Sequence, residues 1–148
     1  MLILTHFLII NAASNAASVR WLVGGLPLLV NLLDSTDEDV QAYTCGSVAN
    51  ISKDDQNLAA ITEYGVVDKL AKLVITKNDN VRKYLAAAIA RCAPVPDNRQ
   101  KFGQQGAIPL VVEFLKSDDA EVHQSTAAAL HRLTEDSMFE ARMLLIAA

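Results

Sequence analysis

A repeat of 41 residues constrains this chain more than any other feature of its sequence. Three similar segments begin at Gly24, Gly65 and Gly106, and they read GGLPLLVNLLDS, GVVDKLAKLVIT and GAIPLVVEFLKS. The same offset aligns three later valines, Val40, Val81 and Val122, without any insertion. A period of about 40 residues with helical patterning is typical of stacked repeats, in which each unit buries its apolar face against its neighbours.

The composition favours helices as the repeated elements. Of the 148 residues 51% are hydrophobic but only 5% are aromatic, whereas a β-sandwich would use more aromatic residues and threonine. The net charge of −4 does not favour nucleic acid or an anionic membrane as a partner. Two cysteines, Cys45 and Cys92, argue against a disulfide scaffold and indicate a reducing, cytoplasmic compartment.

Each unit predicts two helices followed by a third, short one. The first helix starts at the repeat glycine, and Pro27 and Pro109 fall in its first turn, where a missing N–H costs nothing. The second helix is longer, and it follows residues typical of N-caps: Asp37, Asn78 and Asp119. The short helix covers QNLAAITEYG and NRQKFGQQG and ends where the next glycine is predicted to turn the chain, as Gly24 is also predicted to do.

The long helix carries the predicted contact between units. In the first unit its buried face is formed by Val40, Thr44, Val48 and Ile51, which lie three or four positions apart. The equivalent residues are Val81, Leu85, Ile89, Cys92, and then Val122, Thr126, Leu130, Leu133. We expect Val48, Ile89 and Leu130 to be buried between units.

Three helices per unit with a glycine break resemble the armadillo family, since HEAT units usually have two helices. The resemblance implies an all-α, right-handed solenoid of about three and a half repeats. Its predicted divisions are a partial repeat at 1–23, repeats at 24–64 and 65–105, and a repeat with a truncated end at 106–148.

Both ends of the sequence are apolar. Residues 1–10 read MLILTHFLII, which is too short for a membrane span and resembles a signal-peptide core that lacks the basic leader. The alternative is a helix that packs on the next element. Residues 143–148 read MLLIAA, whereas arrays of this kind need polar caps. The sequence therefore predicts a fragment of a longer array, or ends that meet a partner or a second copy.

The sequence offers no catalytic motif and no metal-ligand spacing. It has no Walker loop, G-x-S-x-G, H-E-x-x-H or C-x-x-C, and its glycine pairs fall at predicted helix breaks. The three histidines, His6, His123 and His131, lack metal spacing with cysteines or carboxylates. We expect a protein that is not an enzyme, with no cofactor and no metal.

The flank of the long helices is the predicted functional surface. If these helices line a concave groove, one row along it is formed by Asn50, Arg91 and Arg132. Tyr43 and Tyr84 lie beside this row, and arginine and tyrosine are common interface anchors. These five residues suit an acidic peptide, because arginine can bind a carboxylate with two parallel hydrogen bonds. The alternative is that the arginines are solvated or pair with acidic residues of the same face.

The non-generic stretches narrow the resemblance further. ISKDDQNLAAIT and the segment from ARC to NRQKFG are similar to the armadillo subunits of the outer dynein arm docking complex of motile cilia. This resemblance implies a ciliary, axonemal adaptor whose partners are docking-complex coiled coils, axonemal dynein or microtubule components. Importin-type armadillo proteins carry tryptophan where this chain has Gly46, Ala87 and Ala128, which argues against nuclear import. The alternative function is a cytoplasmic adaptor of the adhesion or signalling type that binds an acidic peptide.

Overall fold

A computed structural model of the chain describes residues 19–135, with side chains from residue 25 onward. The apolar segments 1–10 and 143–148 lie outside the described residues. The helices are α1 Val19–Leu33, α2 Glu38–Ile51, α3 Asp55–Glu63, α4 Val66–Leu73, α5 Asp79–Cys92, α6 Pro96–Gln104, α7 Ala107–Glu113 and α8 Ala120–Leu133, with a 3₁₀ turn at Phe114–Lys116.

The long helices α2, α5 and α8 begin at the predicted capping residues. The Asp37 carboxylate accepts hydrogen bonds from the backbone N–H groups of Asp39 and Val40, at 2.9 and 3.2 Å. Asn78 accepts the N–H of Val81 at 3.1 Å. Asp119 caps α8 in the same way through the N–H of Glu121. Each cap satisfies donors that the first turn of a helix leaves open, so the three helices start at equivalent positions.

Two of the three predicted glycine turns are confirmed. Gly65 and Gly106 adopt φ angles of +75° and +69°, the left-handed conformation in which a side chain is strained. Gly24 is different, because it lies inside the continuous helix α1, and Pro27 is also inside that helix rather than in a first turn. Glycine permits a turn without requiring one, and the N-terminal part of α1 extends the helix through it.

The long helices stack side by side and form the centre of the molecule. The most extensive helix–helix contacts join α2 to α5 and α5 to α8. All four residues predicted for the buried face of α5 are inaccessible to solvent, and those of α2 are buried as well. On α8, Val122, Thr126 and Leu133 are buried, but Leu130 is only partly buried. The expectation for Leu130 was wrong, because no described helix covers the outer side of α8.

Polar side chains also join consecutive units. Lys69 pairs with Asp34 at 2.6 Å, and Ser117 donates a hydrogen bond to Asp79 at 2.9 Å. Asn98 is fully buried and donates to Thr62 at 2.9 Å. Because each bond joins residues 35 to 38 positions apart, these bonds favour the same register between units as the apolar contacts.

Over the described residues the chain is helical and contains no strand, so the predicted all-α solenoid is confirmed. Between residues 19 and 135 no helix combines the length and the apolarity that crossing a bilayer requires.

Candidate functional site

Two depressions lie side by side along the flank of the long helices. The first has a volume of about 450 Å³ and is lined mainly by α2 and α5. The second has a volume of about 530 Å³ and is lined by α3, α5, α8 and the segment that joins α2 to α3. Both include Lys53, Ala87 and Arg91 in their walls, so they form one continuous surface that we call the groove.

All five residues of the predicted binding surface lie in the groove. The first depression contains Tyr43, Asn50, Tyr84 and Arg91, and the second contains Arg91 and Arg132. Tyr43 and the two arginines are exposed, while Asn50 and Tyr84 are half-buried. The structure therefore brings the five side chains to one face, and their role in binding a partner stays a prediction.

The Tyr84 ring lies between Gly46 of the preceding unit and Lys83 of its own helix. A Cβ added to Gly46 would lie 3.2 Å from Cδ1 of the ring, so the ring occupies space that a side chain at position 46 would need. Lys83 Nζ lies 4.8 Å from the ring centroid, within the range of a cation–π interaction. The same ammonium group donates to Glu121 on α8 at 2.8 Å.

The hydrogen bond from Lys83 to Glu121 has an electrostatic consequence. It raises the pKa of the Lys83 ammonium above its usual value, since the carboxylate favours the charged form. Lys83 therefore interacts with the Glu121 carboxylate and the Tyr84 ring. Other cationic side chains line the groove.

The cations of the groove differ in what they contact. Arg132 pairs with Glu135, three residues further along, at 2.8 Å. Within residues 19–135, neither Lys53 nor Arg91 makes an ion pair. Arg132 therefore pairs with an acidic residue, whereas Arg91 is exposed to solvent. These are the two situations that the alternative to peptide binding allowed for.

Sequence reasoning missed Lys53, which lines both depressions. It lies three positions after Asn50 but beyond the end of α2 at Ile51, so the spacing within the helix does not include it. Extending the helical spacing by one more step would have found it. One acidic residue, Asp55, also lines the second depression, at the first position of α3.

The buried thiols of Cys45 and Cys92 are not suited to act as nucleophiles or metal ligands. Burial raises the pKa of Cys45 to about 12 and that of Cys92 to about 11, so both stay protonated at neutral pH. In the part of the chain that the structure describes, no three His, Cys, Asp or Glu side chains cluster as metal ligands would. The side chains that line the groove include cations, amides and aromatic rings, which can bind a partner noncovalently.

Comparison with known proteins agrees with this architecture. A model of the "Armadillo/beta-catenin-like repeat" family matches residues 21–53 and 96–135. The chain is 42% identical to the "Armadillo repeat-containing protein gudu" of Drosophila melanogaster over 126 residues, which are 85% of this chain and 19% of that protein. It is 48% identical to the "Outer dynein arm-docking complex subunit 2" of Bos taurus over 89 residues, which are 60% of this chain and 8% of that protein. The chain thus spans less than a fifth of the length of either relative.

The solved structures that superimpose on this chain include engineered proteins. A designed armadillo repeat protein in complex with the peptide (KR)4 superimposes with a TM-score of 0.75 at 26% identity, over 86% of this chain and 55% of that chain. A second engineered protein gives a TM-score of 0.74 at 34% identity, over 84% of this chain and 53% of that chain.

Proposed function

Because this chain belongs to the armadillo repeat family, we propose that it is a non-catalytic protein-interaction scaffold that helps to dock outer dynein arms onto ciliary doublet microtubules. It would act in the axoneme, with docking-complex coiled coils, axonemal dynein or microtubule components as partners. Stacked repeats suit this role, because they present one extended surface on a stable core.

One observation carries the ciliary part of this proposal. The identity to the bovine docking-complex subunit is 48% over 89 residues, whereas the identity to "Vacuolar protein 8" of Candida albicans is 31% over 112 residues. Similarity that came only from the shared armadillo pattern would not favour one of these proteins so strongly. Since this chain corresponds to 8% of the bovine subunit, the docking role of the whole protein is proposed rather than read from the fold.

We place the partner in the groove, in contact with Tyr43, Asn50, Tyr84, Arg91 and Arg132. The exposed Arg91, which makes no ion pair within residues 19–135, and the ring of Tyr84 support this assignment. The designed relative was solved with a peptide of lysine and arginine. Cations in this groove would repel such a peptide, so an acidic partner is the better match.

The test is the position of the protein in a ciliated cell and its effect on the axoneme. We expect a tagged chain to co-purify with axonemes and docking-complex coiled coils, and its removal to reduce the number of outer arms seen by electron microscopy. A double variant, Arg91→Glu with Arg132→Glu, should fold normally by circular dichroism but associate less with axonemes. A diffuse protein whose removal leaves arm number unchanged would overturn the proposal.

A second function is favoured by the cations of the groove alone. A cytoplasmic adaptor of the adhesion or signalling type would bind an acidic peptide there without any link to cilia. It predicts peptide affinity that falls at higher salt and on charge reversal at Arg91 and Arg132. Peptide binding by a chain that never associates with axonemes would favour this function over the ciliary one.

A further inference from the structure

We propose that Lys53 and Arg91 form an anion-binding centre in the groove, and that this centre takes the phosphate of a phosphorylated serine or threonine in an extended partner segment. The inference rests on the proposed role of the groove as the partner-binding surface. It goes further by naming the group that the groove recognises and the two side chains that recognise it.

The first argument is the position of the two cations. Lys53 and Arg91 are the charged residues shared by both depressions, so they lie where the two parts of the groove meet. A segment that runs along the groove would pass both of them. The two residues belong to neighbouring units, because Lys53 follows α2 and Arg91 is in the last turn of α5.

The second argument is the charge left uncompensated at this point. Within residues 19–135 neither Lys53 nor Arg91 makes an ion pair, whereas Arg132 is paired with Glu135. Asp55 lines only the second depression, and no acidic residue lines the first. The centre therefore presents two positive charges, while the carboxylate of Asp54, next to Lys53 in the chain, accepts hydrogen bonds from backbone N–H groups at the start of α3.

The third argument is the match between this charge and the ligand. A phosphorylated side chain carries a charge of about −1.5 to −2 and three acceptor oxygens, so one group can engage both cations. A single carboxylate carries one negative charge and would leave one cation uncompensated. Arginine binds a phosphate with two parallel hydrogen bonds, and lysine adds a point charge. Asn50 and Ser125 supply further polar groups in the adjoining walls of the groove.

The experiment uses a short alanine–glycine peptide that carries one phosphoserine. The same peptide with serine or glutamate at that position supplies the comparison. Each is titrated into the ¹⁵N-labelled chain, and binding is followed by NMR through the Lys53 amide and the Arg91 side-chain N–H. We expect the phosphopeptide to bind at least about tenfold more tightly than the glutamate peptide, as charge-assisted hydrogen bonds allow.

Matched variants locate the site. Lys53→Gln and Arg91→Gln should each remove most of the preference for phosphate. Lys116→Gln should change the affinity by less than about twofold, because Lys116 is not in the walls of the groove and pairs with Glu113. All three side chains are exposed, so the variants should keep the circular dichroism spectrum of the parent.

Equal affinity for the phosphoserine and glutamate peptides would overturn the proposal, and so would an equal loss of binding in Lys116→Gln. Binding of phosphoinositide vesicles without binding of the phosphopeptide would overturn it in favour of a membrane ligand. If the peptide test fails while the chain still associates with axonemes, this inference falls and the proposed function stands. If the phosphopeptide binds but the chain does not reach axonemes, this inference stands and the proposed function falls.

Discussion

Single residues show where the stability of the stack comes from. Val48 on α2 and Ile89 on α5 are fully buried where these long helices pack, as their spacing predicted. Leu130 occupies the equivalent position on α8 but is only partly buried. Periodicity identifies the face of a helix that packs, but it does not say where the stack of described helices ends, and this explains the wrong expectation for Leu130.

Truncating a residue in the middle of this stack should be costly. We expect Ile89→Ala to lower the free energy of unfolding by about 2–5 kcal/mol. Ile89 is fully buried, so the smaller side chain would leave a cavity enclosed by the core. Urea denaturation followed by circular dichroism measures the change. Leu130→Ala is the matched control, and its smaller burial should give a clearly smaller loss. Equal losses would show that the two positions are equally enclosed.

The two cysteines should be unreactive in the folded chain. Cys45 and Cys92 are fully buried, and their pKa values are raised from 9.0 to about 12 and about 11. An aromatic disulfide reagent at mild alkaline pH should label them only as fast as the chain opens, and urea should accelerate the reaction. Rapid labelling without urea would contradict the burial of both thiols.

The same shifts set a direction for stability against pH. A folded-state pKa above the unfolded value means that the neutral thiol contributes stability below pH 9.0, which is lost as the pH rises through about 11 to 12. Cys45→Ala should therefore lose less stability than the parent chain between neutral and strongly alkaline pH. Thermal unfolding at a series of pH values measures the difference.

At the scale of the helix, local chemistry determined most boundaries. Asp37, Asn78 and Asp119 cap the three long helices as their residue types predicted. Glycine was a less certain guide, since Gly65 and Gly106 turn the chain while Gly24 lies inside α1. A capping side chain gains a hydrogen bond only at a helix start, whereas glycine fits a helix and a turn alike, so it predicts a boundary less reliably.

The turn at Gly106 offers a test of backbone strain alone. Its φ is +69°, and an added Cβ would meet nothing within 4 Å. Gly106→Ala should therefore cost about 1 kcal/mol from the left-handed conformation and not from a clash. Gly106→Asn should cost less, because asparagine tolerates this conformation better. Urea denaturation of both variants measures the two costs, and an asparagine variant no more stable than the alanine variant would show that backbone strain does not set the cost.

For the whole molecule, apolar stacking should outweigh the ion pairs between units. The pair of Lys83 and Glu121 has side-chain exposures of 22% and 68%, so solvent screens it strongly. A double-mutant cycle with Lys83→Ala and Glu121→Ala should give a coupling energy of about 0.2–1 kcal/mol, and added salt should reduce it. A much larger coupling would mean that this pair, and not the buried face of α5, holds the units in register.

The groove could be predicted from the sequence only in part. The 41-residue period placed Asn50, Arg91 and Arg132 in one row, since equivalent positions of a repeat lie along one line. Lys53 was missed because it follows the end of α2, and the pairing of Arg132 with Glu135 depends on side-chain conformations that a repeat does not fix. The alignment of units thus predicts which positions share a surface, but not which charges are compensated there.

The contact between Gly46 and Tyr84 has a consequence for how related chains can diverge. A Cβ at position 46 would lie 3.2 Å from the Tyr84 ring, so a larger residue at either position leaves less room for the residue at the other. In chains descended from a common ancestor we expect the two sites to change together: a bulky residue at the first should accompany a small one at the second.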